Sequence, residues 1–89
     1  MAPPRIKFAE LRELLCGLGF REVAFSESAI GFQHDPSDTL IVLPIYRANQ
    51  IVLPHHLASV RIMLDAKGLM DADAFDDLVT SVAAKRSAS

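Results

Sequence analysis

At 89 residues, with one cysteine and a formal charge of −2 at pH 7, the chain has room for one domain with one modest core, and for neither an intramolecular disulfide framework nor a multi-thiolate zinc site. Apolar residues make up 51% of it, yet the longest apolar run, Leu40 to Tyr46, falls far short of the roughly 18–20 residues a bilayer span requires. The slightly acidic balance argues against a protein that holds nucleic acid by bulk electrostatics, since such domains carry a basic patch and a high pI.

The expected organisation is a single domain over 1–89, with a core over about 7–84 and a tail over 85–89. The start, Met1-Ala-Pro-Pro-Arg-Ile-Lys7, lacks the apolar stretch of about 7–15 residues that a secretion signal carries, so a cytoplasmic location is expected. Phe8, Leu11, Leu15 and Leu18 recur at helical spacing, widened by Leu14, and predict a first helix that Gly19 caps before Phe20. Cys16 reads as a small buried hydrophobe on that helix. A short strand is expected over 21–25, with Val23 and Phe25 on one face. A second is expected over 28–34, where Ile30 and Phe32 point one way and Ala29, Gly31 and Gln33 the other.

Asp35-Pro-Ser-Asp38 has the composition of a turn, and the β-branched run 39–43 closed by Pro44 reads as a third strand. The segment 45–54 reads as a loop with room for a short strand at 51–53. Pro54 opens a second helix with a stripe of Leu57, Val60, Met63 and Leu64, ended by Gly68. Asp71 then stands as N-cap of a third helix, with Asp73 in its first turn and Phe75, Leu78, Val79 and Val82 on its apolar side. Lys85 and Arg86 suit a helix C-terminus, followed by a fraying end.

The order α-β-β-β-α-α predicts an α+β fold, a three-stranded antiparallel sheet with helices packed on one face. The other face, bordered by Ala29, Gly31, Gln33, Leu40 and Val42, then stays wet or is covered by a partner, and exposed Leu or Val there would form a partner patch.

This order of segments, from Phe8-Ala-Glu-Leu-Arg-Glu-Leu-Leu15 through Gly17-Leu-Gly-Phe20 and Phe32-Gln-His-Asp-Pro36 to Pro44 and Lys67-Gly-Leu69, resembles the HicA (YcfA-like) toxin family over roughly 7–79. The resemblance implies a double-stranded-RNA-binding-domain-like fold, messenger-RNA cleavage without a cofactor, and a protein antitoxin as partner. The family's Gly-Ser-His motif falls on Glu27, Ser28 and Ala29, so the place of the catalytic histidine holds an alanine. The family's basic-residue, histidine and proline turn is similar to Gln33-His-Asp-Pro36 with its order disturbed, and a second family histidine falls on Tyr46. The linker into the second helix, lysine- and glycine-rich in the family, is here the apolar Ile51-Val-Leu-Pro-His-His-Leu57.

Metal-independent RNA cleavage needs a group that exchanges a proton near neutral pH, and losing one costs about 10²–10⁴ in rate. Ala29 offers no such proton. The expected activity is therefore binding, of an antitoxin-type protein or of RNA, through Lys7, Ser28, Gln33, His34, Tyr46 and Arg47. Tyr46 beside Arg47 has the pairing that stacks a base and holds a phosphate, against a plainer role at the core edge. His34 reads as a solvated histidine at the end of a turn. His55 and His56, adjacent and with no cysteine nearby, make a poor metal site, and no metal is expected. The competing expectations are a ribonuclease that recruits His34, His55 or His56, and a homodimer paired through Ile51 to Leu53.

Overall fold

The computed structural model describes residues 5–88, with the side chains of 85–88 left aside, and among these residues it shows three α-helices and a three-stranded antiparallel sheet. The elements run α1 (Phe8–Gly17), β1 (Arg21–Ala24), β2 (Ala29–His34), a 3-10 turn (Asp35–Ser37), β3 (Thr39–Pro44), α2 (Pro54–Ala66) and α3 (Ala72–Ala88). The α+β class follows the sequence pattern, and the sheet order is β1-β2-β3. Residues 1–4 of the leader reading, and the cation side chains of Lys85 and Arg86, lie outside what is described; the backbone of α3 continues helically to Ala88, through the segment whose composition suggests fraying.

Helix α1 begins where Lys7 takes extended dihedrals and its N–H donates to Glu10 Oε1 at 2.7 Å, so one of the free donors of the first turn is satisfied by a side chain three residues on. Its stripe of Phe8, Leu11 and Leu15 is buried. Cys16 lies off that stripe and is exposed, contrary to the expectation from its residue type. Helical position outweighs the general preference of free cysteine for burial.

At the end of α1, Gly19 has φ +101° and passes so close beneath His34 that a Cβ would stand 3.3 Å from the imidazole Cδ2. The positive φ strains any side chain there, and a Cβ would press the His34 ring aside by a few tenths of an ångström. Gly19→Ala is expected to cost about 1–3 kcal/mol of stability, read from the urea midpoint, because it combines a positive φ with a displaced ring.

The strand register decides which side chains meet the helices. Phe32 pairs with Ile41 and Ile30 with Leu43, and these residues face inward. Gly31 pairs with Val23 and with Val42, and Gln33 with Arg21 and with Leu40, and these face outward. The alternation is plain in β3, where Thr39, Ile41 and Leu43 are buried and Leu40, Val42 and Pro44 exposed. Glu22 and Ala24, on the inward side of β1, remain exposed, so the helix layer covers β2 and β3 and stops short of β1. Its charges suit an edge strand, because they discourage pairing with another chain.

The single bridge Lys7–Ile51, with Val52 N–H donating to the Ile6 carbonyl at 3.0 Å and Phe8 N–H to that of Gln50 at 2.8 Å, pairs the linker with the segment before α1. Part of the 51–53 backbone on which the dimer expectation relied is thus occupied within the chain itself.

Candidate functional site

The outward face of the sheet carries Val23, Leu40, Val42 and Pro44 around the bare backbone of Gly31. A Cβ at Gly31 would stand 2.9 Å from Val23 Cγ2 and 3.1 Å from Leu40 Cδ1, so the outer strands' side chains lean over the middle strand and close into one apolar surface. Phe25, 55% exposed, follows β1 with the parity of Val23 and extends the surface past the end of that strand. Val42 itself is 42% exposed.

Charge is sparse on this face. Among the described residues of its three strands Arg21 is the one cation, and its Nε donates to Asp35 Oδ2 at 3.1 Å. The hydrogen bond from Arg21 holds the Asp35 carboxyl below the usual carboxylate range, so the pair remains ionised and mutually neutralised at neutral pH.

Of the residues singled out from sequence, Ser28 and Arg47 are exposed, and Gln33 is half-buried on the outward face between Arg21 and Leu40. Lys7 is half-buried at the opening of α1. Two corrections concern the rings.

His34, expected in solvent, is buried on the inward face: it shares parity with Ile30 and Phe32, its ring centroid lies 5.1 Å from that of Phe20, and its Nδ1 is 2.7 Å from Ser37 Oγ. Ser37 Oγ is in turn 2.6 Å from Thr39 Oγ1, so the three polar side chains satisfy one another and lock the β2–β3 turn. This histidine is a structural element of the turn and offers no surface to RNA or protein.

Tyr46 is also buried, stacked on Phe8 with centroids 5.5 Å apart and planes within 15°. Its ring faces are committed to the core, which leaves no face on which a base could stack. The segments so placed do bring an imidazole pair to the end of the sheet where Ala29 pairs with Pro44. Two residues beyond Pro44, the Tyr46 hydroxyl accepts the Leu53 N–H at 3.1 Å and makes a short hydrogen bond to His56 Nδ1. His55 lies beside it, with ring centroids 4.1 Å apart.

Burial first, and the adjacent His55 second, push the His56 pKa below its usual value. A neutral ring joins the tyrosine hydroxyl through Nδ1 as acceptor or as donor according to its tautomer, and either way that nitrogen is engaged. The work of His56 is to tie the linker to α2.

The sign of the pH dependence follows from the depressed pKa. The folded state favours the neutral imidazole, so this contribution is complete above about pH 6.5 and is lost as pH falls through the folded value. Urea unfolding at pH 7.5 and 5.5 is expected to show a smaller acid loss in His56→Gln than in the parent chain; an unchanged slope would assign the acid sensitivity elsewhere.

No family model, no curated protein and no solved structure matches the chain.

The site therefore has to be read from its own geometry. Among the described residues no group of three or more His, Cys, Asp or Glu side chains is placed to share a metal ion, and no helix is long and apolar enough to cross a membrane. Sequence reasoning located the outward face through Gly31, Gln33, Leu40 and Val42, but it did not place Val23 and Phe25 there. The parity of Val23 opposite Gly31 is a pairing fact, which becomes visible only when the hairpin register is known.

Proposed function

We propose that the chain is a HicA-like binding protein, catalytically impaired, that docks through the outward face of its sheet onto a protein partner of antitoxin type in the cytoplasm. The observation that carries this reading is the composition of the face: Val23, Leu40, Val42 and Pro44 around Gly31, with Phe25 beyond, and Arg21, the cation within its strands, already paired. Such a surface gains from burial against another apolar surface at about 25 cal/mol per Å² of area removed from water. RNA, by contrast, is held mainly by phosphate contacts from lysine and arginine, and Arg21 is engaged with Asp35. The resemblance to HicA toxins supports the class of partner, and Ala29 at the place of the family's histidine supports the loss of cleavage.

The reading is tested by co-expression with the product of an adjacent reading frame of antitoxin type. The expected complex survives high salt on a sizing column, as an apolar interface does. Retention of RNA that fades steeply with salt, in place of a protein complex, would decide for nucleic acid.

The second reading, a ribonuclease with a relocated histidine, is favoured by one observation: His55 and His56 gather at Tyr46, two residues past the partner of Ala29. Under that reading expression is toxic, and toxicity disappears in His55→Ala or His56→Ala. His56 is engaged with Tyr46 through Nδ1 whereas His55 is exposed, which favours His55 as the general base under this reading. Harmless expression of the parent chain, with RNA left intact by the purified protein, removes this alternative.

A further inference from the structure

On the helix layer, away from the sheet's outward face, α2 and α3 diverge around a cavity of about 180 Å³. Leu57, Phe75 and Val79 line its apolar interior, and Pro54 and Ala58 its α2 side. The size is informative. A cavity of about 150 Å³ accepts a benzene-sized group, whereas sites for whole small molecules run to about 300–1,000 Å³. This one fits a single large side chain.

The mouth supplies the second constraint. Arg61 and Asp76, which also line the cavity, form an ion pair of 3.0 Å across the two helices. Asp76 acts on Arg61 most strongly, and Asp73 and Asp65 are near enough to add to it. Asp65 stands one turn on from Arg61 along α2 and Asp73 one turn before Asp76 along α3, so carboxylates outnumber the guanidinium along this rim, and that guanidinium is already paired. An anionic ligand meets net repulsion here, and a cationic one finds carboxylates in excess. Ile62, one turn beyond Ala58 and 63% exposed, prolongs the apolar rim along α2.

We propose that the α2–α3 groove is a second binding site, which takes one phenylalanine- or leucine-sized side chain of a basic protein segment while lysines or arginines flanking that anchor meet Asp65, Asp73 and Asp76. The proposal is independent of the sheet-face reading, because the two surfaces lie on different layers of the fold. It follows the pattern of recognition in which one buried anchor supplies most of the affinity and the charged rim sets the choice of partner.

The test uses the full chain and a labelled synthetic peptide with one phenylalanine in a serine and lysine background, titrated by fluorescence anisotropy. Two counterparts carry alanine for the phenylalanine, or glutamate for every lysine. The expected result is saturable binding of the first peptide, weakened about tenfold or more without the anchor and absent for the acidic version. Ala58→Leu, which fills the cavity from an exposed helical position, should weaken binding by a similar factor while leaving the circular dichroism melt unchanged. Asp65→Lys, in the last turn of α2 where a cation is tolerated by the helix dipole, should weaken it several-fold at low salt and little at high salt.

Val42→Asp, on the other surface, should leave it unaltered. Binding that ignores both the anchor and Ala58→Leu would reduce the site to a diffuse acidic attraction and overturn the proposal. So would binding abolished by Val42→Asp, equal binding of the acidic peptide, or no binding up to about 1 mM, a concentration that corresponds to only about 4 kcal/mol of affinity.

Discussion

Phe32→Ala should lower the unfolding free energy by about 3–5 kcal/mol, the largest loss expected from any single truncation of the inward face. Phe32 is fully buried at the centre of the middle strand, and its ring lies 6.1 Å from that of Phe8, tilted by 53°. The cost of such a truncation depends on how far the surroundings can collapse into the space left behind. Here they are held. The Phe32 backbone is paired to Glu22 on one side and Ile41 on the other, and α1 is fastened above it through Lys7, Ile51 and the Phe8 N–H.

Phe75 makes a useful comparison. It is as deeply buried, but it borders the α2–α3 cavity, and two helices joined by a short connection can shift where a clamped strand cannot. Phe75→Ala is therefore expected to cost less than Phe32→Ala. At roughly 0.05–0.15 kcal/mol per residue, a chain of this length has only about 4–13 kcal/mol in total, so Phe32→Ala removes a large share of it. Urea denaturation followed by circular dichroism measures the difference. A loss below about 1 kcal/mol, small for a fully buried aromatic, would mean that the helix layer is seated differently over the sheet.

Much of this architecture was legible because its elements obey simple periods. The α1 stripe, the turn at Asp35 to Asp38, the end of β3 at Pro44 and the start of α3 after Asp71 all lie where spacing and turn chemistry put them. Cys16 could have been read correctly from the same stripe, since it stands between Leu15 and Leu18 and off their face; residue type misled where position was informative.

His34 is a subtler case. Its parity with Ile30 and Phe32 is visible in the sequence, but its burial depends on Gly19, fifteen positions earlier, presenting no Cβ beneath the imidazole. The Tyr46, Leu53 and His56 cluster has no sequence signature at all. Its three members come from a loop end, a linker and a helix start, and only the path of residues 45–53 around α1 brings them together. The cavity between α2 and α3 is likewise a product of how the two helices diverge, which the periodicity of neither helix encodes.

A pair of neighbouring substitutions separates what the fold needs from what the sheet's outward face does. Ile41 and Val42 are adjacent β-branched residues on β3, and by composition alone they are interchangeable. Ile41 faces inward and is 4% exposed, whereas Val42 faces outward and is 42% exposed. Ile41→Asp buries a carboxylate opposite Phe32 in the apolar core, and a loss of at least about 4–5 kcal/mol is expected.

Val42→Asp exchanges an exposed valine for a solvated carboxylate beside Gly31 and should cost within about 1 kcal/mol, the span of strand propensities. Its effect belongs to the partner. A carboxylate at the centre of an apolar interface must be desolvated without a counter-charge, and the complex should weaken by about thirtyfold or more, a hot-spot loss of about 2 kcal/mol. Circular dichroism reads the first outcome and calorimetric titration of the co-expressed partner the second. If Val42→Asp folds and still binds with parental affinity, the outward face is not the docking surface. If it instead abolishes RNA retention while protein association persists, the apolar face serves nucleic acid, and the charge argument against RNA fails with it.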